Sequence, residues 1–386
     1  MRCAGKEWAL LFAVGSLCGC GGKSDPQGVK PPAQDAPVTV DARAPELRYE
    51  GRFDDRDPAG PRFQWPGSAV VLRFTGTSVK VMLGEHSLEA DEYGRVAHNW
   101  YDAWIDDQLV GSLQAAEGVQ TYSVAAGLPP GEHRLVFRKR TEAYVGEGQL
   151  LGFELDHSAK VLPVPPPTRR IEFVGDSITA GFGVDGPDER CLFSAETQNY
   201  SNTYAAFTAR ALGAEQIALA ATGTGVSRNW GNTTENTMGA IYDRILPTDY
   251  RILWDFSRWK PDVVVLNLGT NDFTSGDPGR DAFIEAYRTL ISKVRQNYPS
   301  ALVVVALGPM LSDLWPQGAQ ALTKARAYLS SLVTGINNAG DTRVKLLEFP
   351  NQDNAATFGC KFHPSAATHR QMADQLGDFL RQQMQW

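Results

Sequence analysis

Histidine and cysteine are scarce in this 386-residue sequence, with six and five copies respectively, so each one can be considered individually. An excess of positive charge is also missing: the formal net charge is −7 and no basic run occurs, which excludes a nucleic-acid partner. Apart from the N-terminal leader, no apolar run is long enough to span a bilayer. The composition, 42% hydrophobic and 21% charged, is that of a soluble globular protein. The length leaves room for two domains.

The first twenty residues have the layout of an export signal. Arg2 and Lys6 precede an apolar stretch, residues 8–17, that is too short to span a membrane. The following Leu-Cys-Gly-Cys resembles a bacterial lipobox, which implies cleavage before Cys20 and acylation of its thiol. Cys18 departs from that pattern, because small or hydroxylated residues are more usual there. The alternative is an ordinary signal peptide cut between residues 19 and 22.

Residues 21–45 are rich in proline, glycine and aspartate, which suits a flexible tether. Together with the leader they predict an exported, membrane-anchored bacterial lipoprotein at the cell surface or in the periplasm. Membrane contact is then expected only through the lipid anchor.

Two cysteines remain once the leader is set aside. Cys3 and Cys18 leave with the signal and Cys20 carries the lipid, so Cys191 and Cys360 belong to the folded body. In an exported protein such a pair is a candidate disulfide. Two buried free thiols are the alternative, and the sequence alone does not establish the pairing.

Residues 46–160 are predicted to form an all-β jelly roll or sandwich. Short runs rich in β-branched and apolar residues, such as 70–74, 78–83 and 100–105, are separated by glycine, proline and aspartate turns. The proline-rich segment 161–169 then predicts a stiff linker.

Residues 170–386 alternate strands with helices, which predicts a doubly wound α/β domain with a parallel sheet. The continuous apolar runs 262–268 and 302–307 are typical of parallel strands that are buried on both faces. Ligands of such sheets bind beyond the carboxyl ends of the strands, so polar residues that follow the strands are candidates for a site.

Ser177 is the first such residue. It follows the predicted strand 171–174 within Gly175-Asp176-Ser177 and precedes a glycine-rich loop. A serine in this setting can present both its hydroxyl and its backbone N–H to a cleft, as a nucleophile needs. Asp176 is interpreted as structural, through hydrogen bonds to loop amides.

Three further segments supply possible partners for this serine. Asn271 ends another predicted strand and carries a carboxamide that can donate to an oxyanion. Gly223 lies in a Thr-Gly-Thr-Gly turn where its N–H can approach a ligand. His363 stands before Pro364 at a predicted helix start, where its imidazole can serve as general base. Each feature alone is as well explained by a turn or a structural role.

The order of the four segments resembles the SGNH (GDSL-type) hydrolases, whose blocks contribute Ser, Gly, Asn and His. Ser177, Gly223, Asn271 and His363 match these blocks in that order. The resemblance implies a catalytic pair of Ser177 and His363. It also implies an oxyanion hole made by the backbone N–H groups of Ser177 and Gly223 and by the Asn271 side chain.

A narrower resemblance covers nearly the whole chain after the leader. A jelly-roll domain before an SGNH domain, with the stretches 51–53, 65–68, 139–142, 191–194 and 359–364, is similar to carbohydrate esterase family two. That family implies removal of acetyl groups from xylan-, mannan- or glucan-type cell-wall carbohydrates. The alternatives are a non-catalytic glycan-binding lipoprotein and a lipase or thioesterase of the same fold.

The acid that usually orients the histidine is missing. The two positions where the resemblance would place an Asp are Cys360 and Lys361. A backbone carbonyl can take its place, which is the option we favour, because the acid mainly fixes the tautomer and orientation of the imidazole. Asp353 from the preceding loop and an inactive protein are the other options.

Further expectations concern the two catalytic loops, sugar binding, cofactors and the oligomeric state. If Ser177 and His363 meet, Cys191 and Cys360 come near each other, and a disulfide can join the two loops. Trp230 is the best candidate for stacking on a sugar among the nearby aromatic residues, which also include Phe182, Phe273 and Phe362. No metal or cofactor is expected, and we expect a monomer.

Overall fold

The computed structural model of the chain describes residues 36–352 and 357–386. The predicted signal peptide, the predicted lipidation site Cys20 and Asp353 lie outside the described residues. Within these two ranges, no helix combines the length and apolar character that crossing a membrane requires. The stretch Pro37–Trp386 forms one compact unit, so contacts between its two domains can be described.

The N-terminal domain is built from short strands, as predicted. They are β1 (Val38–Asp41), β2 (Arg48–Glu50), β3 (Arg62–Phe63), β4 (Ala69–Thr75), β5 (Val79–Ser87), β6 (Trp100–Ile105), β7 (Gln108–Gln114), β8 (Gly118–Ala125), β9 (Glu132–Lys139), β10 (Gly146–Leu155) and β11 (Val161–Leu162). One antiparallel sheet has the order β1-β10-β5-β8, with β3 beside β10. The other has the order β11-β4-β9-β6-β7, with β2 beside β4.

The two sheets share one apolar core. Val79, Val81 and Leu83 alternate with more exposed residues along β5, so they face Leu72 of β4 and Phe137 of β9 from the other sheet. This packing makes the domain an antiparallel sandwich and confirms the predicted all-β class.

Both predicted boundaries of this domain need correction. Val38–Asp41, assigned to the tether, pairs with β10 because its alternating valines and threonine fit the edge of that sheet. Val161–Leu162, assigned to the linker, pairs with β4 in the same way. The β domain therefore extends at both ends.

The C-terminal domain alternates strands and helices. They are β12 (Arg170–Gly175), α1 (Ser177–Ala180), α2 (Tyr204–Leu212), β13 (Glu215–Ala220), α3 (Met238–Ile241), β14 (Val263–Asn267), α4 (Thr270–Phe273), α5 (Arg280–Asn297), β15 (Leu302–Leu307), α6 (Ala321–Asn338), β16 (Val344–Glu348) and α7 (Ala366–Met384). The parallel sheet has the order β13-β12-β14-β15-β16.

Helices cover both faces of this sheet, which confirms the doubly wound fold. Helices α5 and α6 pack on one face through residues such as Leu290 and Leu329, while α2 and α7 pack on the other through residues such as Phe207 and Leu376. Every residue of β14 and β15 is consequently buried, as their unbroken apolar runs predicted.

Buried polar contacts join the two domains. The fully buried guanidinium of Arg52, from the β domain, donates to the carbonyls of Tyr242 and Arg244 and lies 3.5 Å from the carboxylate of Glu172. Thr248 donates a hydrogen bond of 2.9 Å to Gln64 Oε1. A charged group is rarely buried unless it is paired, so this contact indicates a fixed interface.

Candidate active site

Ser177 opens α1 directly after β12, at the carboxyl edge of the parallel sheet. Asp176 caps this helix, because its Oδ1 accepts from the Ile178 N–H at 3.0 Å, so the structural role predicted for Asp176 is confirmed. Burial, and also the charge of Asp272, raises the pKa of Asp176 to about 7. The cap fixes the start of α1 and therefore the position of the serine.

The structure places Ser177 and His363 in contact. Ser177 Oγ lies 2.8 Å from His363 Nε2, although the two residues are 186 positions apart. On the other side of the ring, Nδ1 lies 3.2 Å from the Cys360 carbonyl and 3.2 Å from the Lys361 carbonyl. Carbonyls only accept hydrogen bonds, so Nδ1 carries the proton and Nε2 is free to accept one from the serine.

An unusual backbone turn aims these two carbonyls at the imidazole. Lys361 and Phe362 have φ values of 51° and 61°, in the left-handed region that costs a residue other than glycine roughly 1–2 kcal/mol. Neighbouring groups hold the turn: Lys361 pairs with Glu92 of the β domain, and Gln352 Nε2 donates to the Phe362 carbonyl at 2.6 Å. The Cys360 and Lys361 carbonyls are therefore positioned to orient the imidazole. The other candidate, Asp353, lies outside the described residues.

A disulfide also fixes this turn. Cys191 and Cys360 are bonded, with their Cα atoms 4.8 Å apart, and the bond joins the loop after α1 to the segment before His363. The Cys360 N–H donates to the Gly183 carbonyl at 2.9 Å. A side chain at Gly186 would come within 2.3 Å of the Cys360 sulfur, so the close approach of the loops requires glycine there.

Intact-mass measurement should detect this disulfide. We expect the non-reduced protein to weigh two hydrogen atoms less than the reduced protein and to resist alkylation at Cys191 and Cys360 under non-reducing denaturation. A Cys191→Ser variant is the control, because it frees one thiol for alkylation. Two alkylatable thiols in the non-reduced protein would contradict the disulfide.

The surroundings of His363 favour its neutral form. Desolvation, with a further contribution from the Lys361 cation, lowers the pKa of His363 to about 4, and the two backbone carbonyls oppose this only in part. The Phe182 ring lies against the imidazole, with ring centroids 4.4 Å apart. His363 is therefore the free base at neutral pH and can accept a proton.

This pKa can be measured directly. We expect the Cε1–Hε1 NMR signal of His363 in ¹³C-histidine-labelled protein to titrate near pH 4, since protonation is disfavoured down to that pH. Loss of the signal in a His363→Asn variant assigns it and separates it from His369, whose pKa is about 3 because of burial. A midpoint at or above pH 6.5, the ordinary value for histidine, would contradict the argument.

Three groups are candidate donors to an oxyanion on Ser177: its own N–H, the Gly223 N–H and the Asn271 carboxamide. The Ser177 and Gly223 N–H groups have no acceptor among residues 36–352 and 357–386, and Gly223 has a φ of 77°, which favours glycine. Asn271 Nδ2 donates to the Thr224 carbonyl at 3.0 Å and lies 3.3 Å from Asp176 Oδ2. These groups follow β12, β13 and β14, whose carboxyl ends meet at one edge of the sheet.

Asp272 organises the loop after β13, and the sequence interpretation assigned it no role. Its fully buried carboxylate accepts from the N–H groups of Val226, Ser227 and Arg228 at 2.9, 2.7 and 3.1 Å. The loop that begins at Gly223 is thereby tied to the residue that follows Asn271. An acidic residue beside Asn271 was the feature of the sequence that could have indicated this role. The N–H groups that it binds, however, lie about 45 positions earlier in the chain.

The predicted sugar-stacking aromatics differ in exposure. Trp230 is 69% exposed, and its backbone N–H donates to the Gly223 carbonyl at 2.8 Å, so this residue lies beside the candidate oxyanion donor Gly223. Phe362 is also exposed. Phe182 and Phe273 are buried, which excludes them as stacking surfaces because core packing covers their rings.

Two known families match consecutive parts of the chain. Residues 49–165 match the carbohydrate esterase 2 N-terminal family. Residues 173–371 match the GDSL-like lipase/acylhydrolase family. The boundary between the matches coincides with the segment between β11 and β12.

Several known proteins resemble the chain over most of its length. It is 38% identical to the cellulase/esterase CelE of Acetivibrio thermocellus over 349 residues, which cover 90% of this chain and 41% of that protein. It is 27% identical to an acetylxylan esterase/glucomannan deacetylase of Cellvibrio japonicus, covering 90% of this chain and 92% of the relative. The chain therefore spans less than half of the first protein and nearly all of the second.

A solved structure extends this similarity to three dimensions. The structure of a family two carbohydrate esterase from Clostridium thermocellum in complex with cellohexaose superimposes with a TM-score of 0.81 at 38% identity. The superposition covers 88% of this chain and 99% of the other, so both domains take part in it.

Proposed function

We propose that this chain, which belongs to carbohydrate esterase family two, is a serine esterase that removes O-acetyl groups from cell-wall carbohydrates. The observation that carries the proposal is the 2.8 Å contact between Ser177 Oγ and a neutral His363. The backbone N–H groups of Ser177 and Gly223, which have no acceptor within the described residues, support it. The relatives' names, an acetylxylan esterase/glucomannan deacetylase and a cellulase/esterase, support the substrate class.

The proposed reaction proceeds through an acetyl-enzyme. His363 Nε2 takes the hydroxyl proton as Ser177 Oγ attacks the acetyl carbonyl, and the N–H groups of Ser177, Gly223 and Asn271 stabilise the oxyanion. His363 then gives the proton to the departing sugar oxygen. Water, deprotonated by the same imidazole, attacks the acetyl-enzyme. His363 then returns this proton to the departing Ser177 Oγ, which releases acetate and restores the free serine.

The carbonyls of Cys360 and Lys361 replace the usual acid in this scheme. They hold the Nδ1–H tautomer, but they carry no negative charge to stabilise the imidazolium that forms during attack. Lys361 adds a positive charge nearby, and its pairing with Glu92 offsets part of it. Ser177 and His363 therefore act as a dyad whose orientation comes from the backbone.

We also propose that Trp230 forms part of the sugar-binding surface. Trp230 is exposed, and its backbone is hydrogen-bonded to Gly223, so it lies close to the candidate oxyanion donor and is accessible to a substrate. Aromatic faces are a common platform for apolar faces of ligands. A similar structure was solved in complex with cellohexaose, which supports a carbohydrate ligand for this chain.

We also propose that this activity lies outside the cell. Residues 1–20 have the pattern of an export signal, and acylation of Cys20 would anchor the enzyme to a membrane surface through its lipid. Metabolic labelling with a fatty acid tests this proposal, with Cys20→Ala as the unlabelled control.

Acetate release across a panel of substrates tests the esterase proposal. Acetylated xylan, mannan and glucan oligosaccharides and 4-nitrophenyl esters of increasing acyl length are compared under the same conditions, with Ser177→Ala as the control. We expect release from the oligosaccharides and a preference for acetyl over longer acyl groups. Preference for longer acyl groups would favour the lipase alternative. Glycan binding without release would favour the non-catalytic one.

A further inference from the structure

The β domain reaches the loop that carries Gly223. Glu142, which follows β9, accepts a hydrogen bond from the Thr222 N–H through its Oε2 at 2.8 Å. Glu142 is 3% exposed, so this contact is shielded from water. Thr222 directly precedes Gly223, and the orientation of one peptide constrains the next. A carboxylate from one domain thus acts on the candidate oxyanion donor of the other.

The backbone around Glu142 is itself fixed from several sides. The fully buried ammonium of Lys139 donates to the carbonyls of Thr141 and Glu142 at 2.9 and 2.6 Å. The Glu142 N–H donates to Gln198 Oε1 at 2.8 Å. These contacts fix the backbone that carries the Glu142 carboxylate, and a positioning contact needs such support.

The other contacts of the loop come from its own domain. Asp272 binds the N–H groups of residues 226–228, and Trp230 binds the Gly223 carbonyl. On the other side, the Thr222 N–H is held by Glu142. Ala221, before Thr222, donates to the Gly175 carbonyl and accepts from the Thr224 N–H, both at 3.3 Å. The β domain therefore supplies the shortest of the hydrogen bonds on the N-terminal side of the oxyanion turn.

We propose that Glu142 is a positioning residue for deacetylation, which holds the Thr222–Gly223 turn so that the Gly223 N–H points at the oxyanion. The β domain is then a working part of the catalytic site, in addition to any contact it makes with glycan. This inference rests on the proposed esterase function and on the role of Gly223 in it. It predicts that substitution of Glu142 raises the free energy of the transition state more than that of the bound substrate, because the oxyanion forms only in the transition state.

Three substitutions at position 142 separate positioning from folding. Glu142→Ala removes the acceptor, Glu142→Asp withdraws it by one methylene, and Glu142→Gln keeps a neutral acceptor of the same length. We expect kcat on an acetylated oligosaccharide to fall about 10- to 100-fold in Glu142→Ala, somewhat less than the loss of a whole oxyanion donor, with KM changed less than about threefold. Glu142→Asp should be intermediate, and Glu142→Gln should stay within about threefold of wild type.

Two further measurements make the test specific. A boronic acid that forms a tetrahedral adduct with Ser177 should lose affinity in Glu142→Ala by a factor comparable to the fall in kcat, whereas KM should not follow. Val81→Ala, in the core of the β domain, is the control for lost stability and should retain its kcat below its melting temperature. Circular dichroism and thermal melting show which variants are folded.

The outcomes distinguish this inference from the proposed function. If wild type releases no acetate, the proposed function fails and the comparison at position 142 has no basis. If wild type is active and folded Glu142→Ala or Glu142→Asp keeps kcat within twofold, the positioning role is overturned. It is equally overturned if Glu142→Gln is as impaired as Glu142→Ala, or if KM rises while kcat is unchanged.

Discussion

Replacing Ser177 by Ala should lower acetate release from an acetylated oligosaccharide by at least about 10⁴-fold. The variant lacks the only oxygen within hydrogen-bond distance of His363 Nε2 among the described contacts, so no acetyl-enzyme can form. In subtilisin, removal of the nucleophile costs about 2 × 10⁶ in kcat, and the remaining activity comes from the oxyanion hole and binding. Ser177 is 5% exposed and small, so loss of its hydroxyl should leave the fold intact.

The His363→Ala variant provides the matched comparison. Serine and base act as one unit, so the double variant should be no slower than the slower of the two single variants. Initial rates of acetate release on single and double variants, at equal concentrations of folded protein, measure this. Losses that multiply in the double variant would show that the two side chains act independently. Retention of more than a hundredth of the activity in Ser177→Ala would exclude it as the nucleophile.

The fold was largely predictable because its signals are local. The apolar runs at 263–267 and 302–307 are typical of strands that are covered on both faces, and the structure has buried parallel strands there. The four short blocks were informative through their order, and the family resemblance that they indicated is confirmed by the matches to both domains. The edge strand β1 was missed because its four residues lie in a proline- and aspartate-rich segment and depend on pairing with β10.

The orienting group of His363 could be suggested but not located from the sequence. It consists of backbone carbonyls, which every residue has, and their aim depends on left-handed conformations at Lys361 and Phe362. Nothing in these two residue types favours that conformation; the disulfide and the Glu92 contact hold it from elsewhere in the chain. Glu142 escaped notice for the same reason, since its role arises only where the two domains meet.

Replacing Asn271 by Ala should lower kcat roughly 10²- to 10³-fold, equivalent to about 2.7–4 kcal/mol of transition-state stabilisation, with little change in KM. The carboxamide has two N–H bonds. The Thr224 carbonyl, at 3.0 Å, holds one of them, and this contact fixes the plane of the amide. The other donates to Asp176 Oδ2 at the longer distance of 3.3 Å, so this weaker hydrogen bond is the one that a developing oxyanion would displace.

The division between kcat and KM is what identifies this role. A ground-state acetyl carbonyl attracts the donor weakly, whereas a full negative charge shortens and strengthens the bond, so the loss should fall on kcat. Asn297→Ala, which removes a carboxamide at the end of α5 far from β12 in sequence, is the matched control and should retain wild-type kcat. Steady-state kinetics on an acetylated oligosaccharide measure both variants. An Asn271→Ala variant that raises KM at constant kcat would make Asn271 a substrate-binding residue, and the oxyanion would then be held by the two backbone N–H groups.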